Sequence, residues 1–558
     1  VSNKRRNRSS RGRIASWTAV TASILVASAA APAVATVATD APDASADVDH
    51  MPDFDIDQIP DHVLGDDTVQ VTDAGLLIDE PEPFAGWPAE IVEQSIEAAD
   101  ARTADGSSEA PSASEAFDLQ SRPGANRTIY LDFDGHTTTG TEWNTNGRPA
   151  SFTSAPYSRD SSAAFNTAEL RYIGEIWEQV AEDFAPFDVN VTTKEPTFDA
   201  LWRSSSSDSI YGTRVVISPT NDWYGSSGGV AYVGSFSWSN ERTPSGDPVV
   251  TPAFVFSDAL AGGVPKYVAE AAAHEAGHTL DLYHDGKDTS DYYGGHAIEN
   301  GSTNGGWAPI MGVGYQRDVT QWSNGDYPGA TQLQDDIAIL ASRLGWASST
   351  SGVAGPATLR AGETIVGTVE QSNHDVDVEI IVVESGTASI TIVPDVDHSN
   401  LVVSAELLSA GTVIATASPG SATDWQLVFT EGLAAGTYTV RLSSIGWGDV
   451  AADDLDGFTK YGSLGRFRMS FVLEPDTSTV TTSTTTTSTT TSSTTLPPTT
   501  TTPTTTTPTT APPTTAPPNG LLATSGPAAC TPTSRGGLMG IGEQQAAAPC
   551  FSPAERLG

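Results

Sequence analysis

The eleven residues His274-Glu275-Ala276-Gly277-His278-Thr279-Leu280-Asp281-Leu282-Tyr283-His284 constrain this chain more than any other stretch. Two histidines four apart can serve one ion only if they lie on the same face of a helix. A third histidine six residues further on is out of helical register, so the helix must stop and the chain must turn back for His284 to join them. Glu275 is rotated off the histidine face and can reach a water molecule without taking a coordination position. Three protein ligands and one open position suit a catalytic zinc ion. Asp281, Asp285 and His296 are nearby competitors for the third ligand, and His284 is preferred on spacing.

Composition narrows the setting. The chain of 558 residues has room for two or three domains with linkers. Its formal charge of -42 disfavours nucleic acid and anionic membranes as partners, since both would repel it. The only two cysteines, Cys530 and Cys550, lie close to the C-terminus. They exclude a four-thiolate metal cage and a cysteine switch ahead of the histidines, and they suit a single small disulfide loop in an oxidising compartment.

The histidine segment resembles the metzincin metallopeptidases of the reprolysin-like type, whose pattern is H-E-x-x-H-x-x-G-x-x-H followed by a Met-turn. Both ligand spacings and the Glu match, and Trp307-Ala308-Pro309-Ile310-Met311-Gly312-Val313-Gly314-Tyr315 is a candidate Met-turn. The resemblance implies that His274, His278 and His284 hold Zn2+, that Glu275 is the general base, and that Met311 forms an apolar floor under the ion. Tyr315 is a further catalytic candidate, because some metzincins place a Tyr just after the Met. Its alternative is an ordinary packed aromatic. The family's Gly at the helix break is Asp281 here. Asp is among the few non-glycine residues that visit positive φ, so Asp281 is expected at or near that conformation.

Around this segment, residues 126–348 are expected to form an α/β domain with a mixed twisted sheet, an active-site helix, the Met-turn and a closing helix. Strands are expected at 128–134, 187–191, 215–218, 229–236 and 253–257, the strand at 229–236 being a candidate sheet edge for an extended peptide. One helix opens at Asn166 with Glu169 as capping partner, another at Pro265. The closing helix is expected to open with a Thr331/Gln334 capping box, show Leu333, Ile337, Leu340 and Leu344, and end at Gly345.

The flanking regions read differently. Residues 1–35 have a basic start, an apolar stretch and the small-residue site Ala33-Val34-Ala35, the pattern of a signal peptide. Residues 36–125 are acidic with weak periodicity, a prosegment or a disordered spacer. Short alternating runs between glycine-rich turns at 352–475 predict an all-β sandwich. Its Gly432–Val440 and Tyr461–Phe467 segments resemble the pre-peptidase C-terminal domain of secreted bacterial peptidases, which implies an accessory module. Residues 476–518 form a Thr/Pro-rich stalk suited to cell-wall or glycan association, and 519–558 a tail.

Three weaker signals carry less. Asp132-Phe133-Asp134-Gly135-His136 resembles the DxDG loop of haloacid dehalogenase-like phosphatases, but His136 stands where that family has Thr. The acidic run at 453–457 lacks the distal Glu of a calcium loop, position 465 being Gly, so structural Ca2+ has no support. The glycine-rich 292–306 reads as a loop beside the cleft. The expectation is therefore a secreted zinc endopeptidase, made as a zymogen and acting on extracellular proteins or peptides. The alternative is a cell-surface adhesion or binding protein with a degenerate peptidase domain.

Overall fold

The computed structural model describes residues 111–298, 305–347 and 357–476 apart from 372, 424 and 451–455, together with most of 59–80 and a few positions before and after that stretch. The expected signal peptide, stalk and tail, with Cys530 and Cys550, lie outside the described residues.

A seven-stranded mixed sheet forms the first layer. Its strands are β1 (Val69–Thr72), β2 (Gly75–Glu80), β3 (Arg127–Asp132), β6 (Val189–Thr192), β7 (Tyr211–Ser218), β8 (Gly229–Tyr232) and β9 (Ala253–Phe256). A small separate hairpin pairs β4 (His136–Thr139) with β5 (Ser151–Ser154). The order across the main sheet is β1-β2-β8-β9-β7-β3-β6. Strand β3 runs parallel to β6 and β7, and β7 parallel to β9. Strand β8 is antiparallel to β9 and to β2.

Alternation along the strands sorts side chains onto two faces. Ile129, Val215, Ile217, Ala253 and Val255 join a large core beneath the sheet. Val216, Phe254 and Phe256 join Leu77, Val230, Tyr232 and Trp143 in a separate aromatic-rich cluster. A short helix, α1, spans Ala113–Ala116, and the large core is completed by α2 (Thr167–Asp183) and α3 (Pro265–Thr279). Helix α3 packs on α2 and against β7, β8 and β9. The cap of α2 is the one expected from sequence. The Asn166 side chain accepts from the Ala168 and Glu169 amides, and Glu169 accepts from the Asn166 amide at 2.8 Å.

The closing helix α4 spans Asp336–Leu344, shorter than the sequence reading. Asp335, not Thr331, caps it, accepting from the Ala338 amide at 3.0 Å. Leu333 is 71 % exposed and outside the helix. The reason is local: Gln334 is engaged elsewhere, accepting from the Tyr283 amide and donating to the Asp281 carbonyl, and so braces the turn before His284. The expected strand at 229–236 ends at Tyr232, and a single 3-10 turn follows at Ser235–Ser237.

Residues 357–475 form a five-stranded and a four-stranded sheet. Ile380, Ile390, Leu407, Val440, Phe467 and Met469 point inward from both and are buried in a common core. This β-rich part is joined to the α/β part through buried polar contacts. Glu182 accepts from Arg466 Nε at 2.9 Å, and Asp183 accepts from Asn400 at 2.7 Å.

The described part of 36–125 is not featureless. The run Leu76-Leu77-Ile78 is buried almost completely, and it makes β2 an internal strand of the main sheet.

Candidate metal centre

Helix α3 carries His274, Glu275 and His278 in its last two turns. Gly277 lies against Met311: a Cβ at that position would come within 2.6 Å of the Met311 sulfur and would have to displace that side chain. Met311 is fully buried. The helix ends at Thr279, and Asp281 follows with φ of 79°, the left-handed conformation inferred for it. That turn reverses the chain and brings His284 back over the helix end.

One ring nitrogen of each histidine is committed. His274 Nδ1 donates to the Ile310 carbonyl at 2.9 Å, and His278 Nδ1 donates to the Leu282 carbonyl at 2.8 Å. His284 Nδ1 donates to the Asp66 carboxylate at 2.7 Å. A carbonyl or carboxylate only accepts, so these bonds fix the tautomers and leave each Nε2 with a lone pair. His278 Nε2 and His284 Nε2 then face each other at 3.1 Å, and His274 Nε2 is buried with no hydrogen-bond partner. Facing lone pairs repel unless a cation lies between them. The separation is near the ~3.3 Å edge of a tetrahedron built on bonds of about 2.0–2.1 Å to zinc. The donor set therefore fits a zinc ion.

Among the described residues this is the one group of three His, Cys, Asp or Glu whose ligand atoms converge, all within 4.8 Å. The competitors for third ligand are placed elsewhere. Asp281 pairs with Arg343 at 2.6 Å, and His296 bonds Tyr293 and the Gly457 carbonyl. Asp285 is buried beside Met311, its amide bonded to the Met311 carbonyl, and burial pushes its carboxyl above the ordinary range.

Burial dominates the electrostatics. It lowers the His274 imidazole to about 3 and that of His278 well below the ordinary value, so both are neutral at physiological pH and ready to bind metal. Burial alone would raise the Asp66 carboxyl. The hydrogen bonds from His284 and Thr68 bring it below the ordinary value instead. Glu275 is fully buried in front of β8, where a Cβ on Gly229 would overlap its carboxylate.

Two features correct or extend the sequence reading. The Tyr315 ring sits edge-on to Tyr267 at 5.3 Å, against the first turn of α3, the packing expected of its packed-aromatic alternative. The aromatic beside the three histidines is Tyr292, whose ring centroid lies 4.1 Å from that of His284. Its hydroxyl donates to the Asp79 carbonyl at 2.7 Å and reaches Thr68 at 3.1 Å. Asp66, Thr68 and Tyr292 carry no local signal of this role; only the fold brings them to His284.

Among the described residues no helix is long and apolar enough to cross a membrane. No family model matches the chain, and no curated protein matches it. Among solved structures it is similar to the pre-peptidase C-terminal domain of a Bacillus anthracis collagenase, at 11% identity over 22% of this chain and 99% of that one, with a TM-score of 0.16. It is also similar to a periplasmic inhibitor of g-type lysozyme from Aeromonas hydrophila, at 12% identity over 21% of this chain and 96% of that one, with a TM-score of 0.13.

Proposed function

We propose that this chain is a secreted zinc-dependent endopeptidase of the metzincin type that hydrolyses extracellular proteins or peptides. The observation that carries the reading is the convergence of three Nε2 lone pairs whose Nδ1 partners are all fixed by acceptors. Nothing in a purely structural cluster calls for that arrangement.

His274, His278 and His284 would hold the ion. Bound zinc supplies Lewis acidity, lowering the pKa of water toward neutrality and polarising a carbonyl. The chain's own part follows from position. Glu275 follows His274 on α3 and lies against Gly229, between the histidines and β8. Its carboxylate takes a proton from the attacking water and returns it to the departing amine. The Ile310 carbonyl keeps the His274 ring in register, and Met311 packs against Gly277 on the same helix.

The adhesion alternative does not require a base at position 275. A casein assay of the zinc-loaded chain, with and without chelator and alongside Glu275→Ala, separates the two readings. Hydrolysis that chelator abolishes, zinc readdition restores and Glu275→Ala loses while keeping its zinc is the expected result. Turnover by Glu275→Ala close to wild type contradicts the mechanism.

A further inference from the structure

Two parts of the backbone aim histidines from behind. The Ile310 carbonyl holds the His274 ring, and the turn at residues 281–283 sets where His284 points. Each is tied, through one intermediate element, to the β-rich part of the chain.

The first tie is Gln321, the last residue of strand β11 (Val319–Gln321), which runs parallel to β10 (Trp307–Pro309). The Gln321 carbonyl accepts from the Ile310 amide at 2.9 Å, so Ile310 is held by Gln321 and in turn holds His274. The buried Gln321 side chain accepts from Trp307 Nε1 at 2.8 Å and donates to the Asn400 carbonyl at 2.5 Å. Asn400 belongs to the β-rich part, and its own side chain is spent on buried Asp183.

The second tie is Tyr461. Its hydroxyl accepts from the Ile337 amide at 2.9 Å and donates to Asp335 at 2.5 Å. The Ile337 amide is one of the donors that the first turn of a helix leaves without an intrahelical acceptor, so the β-rich part completes the start of α4. Helix α4 then braces the turn twice. Gln334, just ahead of it, bonds the Tyr283 amide and the Asp281 carbonyl, and Arg343 in its last turn pairs with the Asp281 carboxylate. Domains joined by a linker ordinarily move against one another. Here the ties are buried polar bonds, and Trp322 and Leu340 share one apolar core with Leu401 and Phe458 of the β-rich part.

We propose that the β-rich part is a positioning half of the histidine site, aiming His274 through Gln321 and His284 through Tyr461 and α4, and is not a detachable accessory. This departs from the accessory role that the sequence resemblance implies. It rests on the zinc reading of the three histidines but not on peptide hydrolysis. Loss of a group directly behind a ligand lowers metal affinity by about 10–100-fold, and Gln321 and Tyr461 act one step further out, so about three- to tenfold is expected from each.

The test uses the full chain, with zinc titration against a competing chelator and the visible spectrum of the Co2+-loaded protein, neither of which needs turnover. Tyr461→Phe removes one hydroxyl, and Gln321→Met removes one amide at nearly constant volume. Val440→Ala, fully buried in the β-rich core, lowers stability without touching either tie. The first two variants should lose affinity by about three- to tenfold and shift the cobalt d–d bands, while Val440→Ala keeps both. Tyr461→Phe and Gln321→Met that match wild type in affinity and spectrum overturn the proposal, and so does a Val440→Ala that loses as much as they do. Should either tie variant fail to fold, amide exchange of wild type in mild denaturant decides. The Leu282 and Ile310 amides should lose protection in the same step as residues 436–444. Protection at Leu282 and Ile310 that outlasts the opening of residues 436–444 overturns the proposal. Wild type that binds no zinc refutes the zinc reading, and the exchange result then decides the ties by itself.

Discussion

Helix α3 with its following turn, and the segment from Asp66 to β2, both end at His284, but they reach it by different routes. The first is local: three histidines, Glu275 and the turn fall within eleven residues. The second is distant: Asp66 bonds a ring 218 residues away in sequence. A metal site needs both kinds of part. Ligands set the charge and number of donors, and the groups behind them set tautomer and aim. Spacing reveals the first kind, and only the folded chain reveals the second.

The largest effect should come from the local half. His278→Ala removes one of the three proposed ligands, in a fully buried position. It should weaken zinc binding on the order of a thousandfold, given the roughly 10–16 kcal/mol that structural zinc sites gain in total. Zinc titration with a competing chelator measures it. Affinity that survives would move the ion to another donor set.

Asp281→Val probes the turn joining the halves. A β-branched residue at φ of 79° costs roughly 1–3 kcal/mol, and the strain falls where His284 is aimed. The variant should lose zinc affinity and thermal stability together. Asp281→Gly should keep both within about 1 kcal/mol, since it relaxes the backbone and loses only a partly exposed pair with Arg343. Equal damage from the two variants would break the turn argument.

Asp66→Asn tests the distant half. Its side chain keeps its size but loses the charge that His284 sees, and loss of such an outer partner lowers metal affinity by about 10–100-fold. The expected deficit lies below that of His278→Ala. A deficit as large would make Asp66 a ligand in its own right, and none at all would make the bond to His284 incidental.

The metal-free chain should show a signal of its own, and it is a matter of pH. The folded His274 imidazole is held near 3, below its ordinary 6.5. Between those values the unfolded chain binds a proton that the folded chain does not, so stability rises with pH and falls as pH drops through the window. Urea titrations of the metal-free protein from pH 7 to pH 4 should show that decline. His274→Gln should flatten it, and an unchanged slope would contradict a buried neutral imidazole.

What the sequence made legible follows the same division. The helix at Pro265, the Asn166 cap and the positive φ of Asp281 rest on neighbours in sequence, and the structure has each of them. The Thr331/Gln334 cap does not form because Gln334 serves the turn before His284, a tertiary use that no local rule anticipates. Family position offers Tyr315 to the site, and only the fold shows its ring packed on Tyr267. The run Leu76-Leu77-Ile78 was readable as a short buried strand but was hidden in an acidic segment of weak periodicity. Likewise, nothing in the local pattern marks Glu182 and Asp183 as buried partners of Arg466 and Asn400.

The account stands or falls on whether three imidazoles share one zinc ion. The direct measurement is the zinc K-edge absorption spectrum of the chain loaded with one equivalent of metal. The account predicts a first shell of nitrogen and oxygen at about 2.0–2.1 Å, with the multiple-scattering signature of three imidazoles and one exchangeable light atom. Two imidazoles with carboxylate oxygens, or an oxygen-only shell, would contradict it.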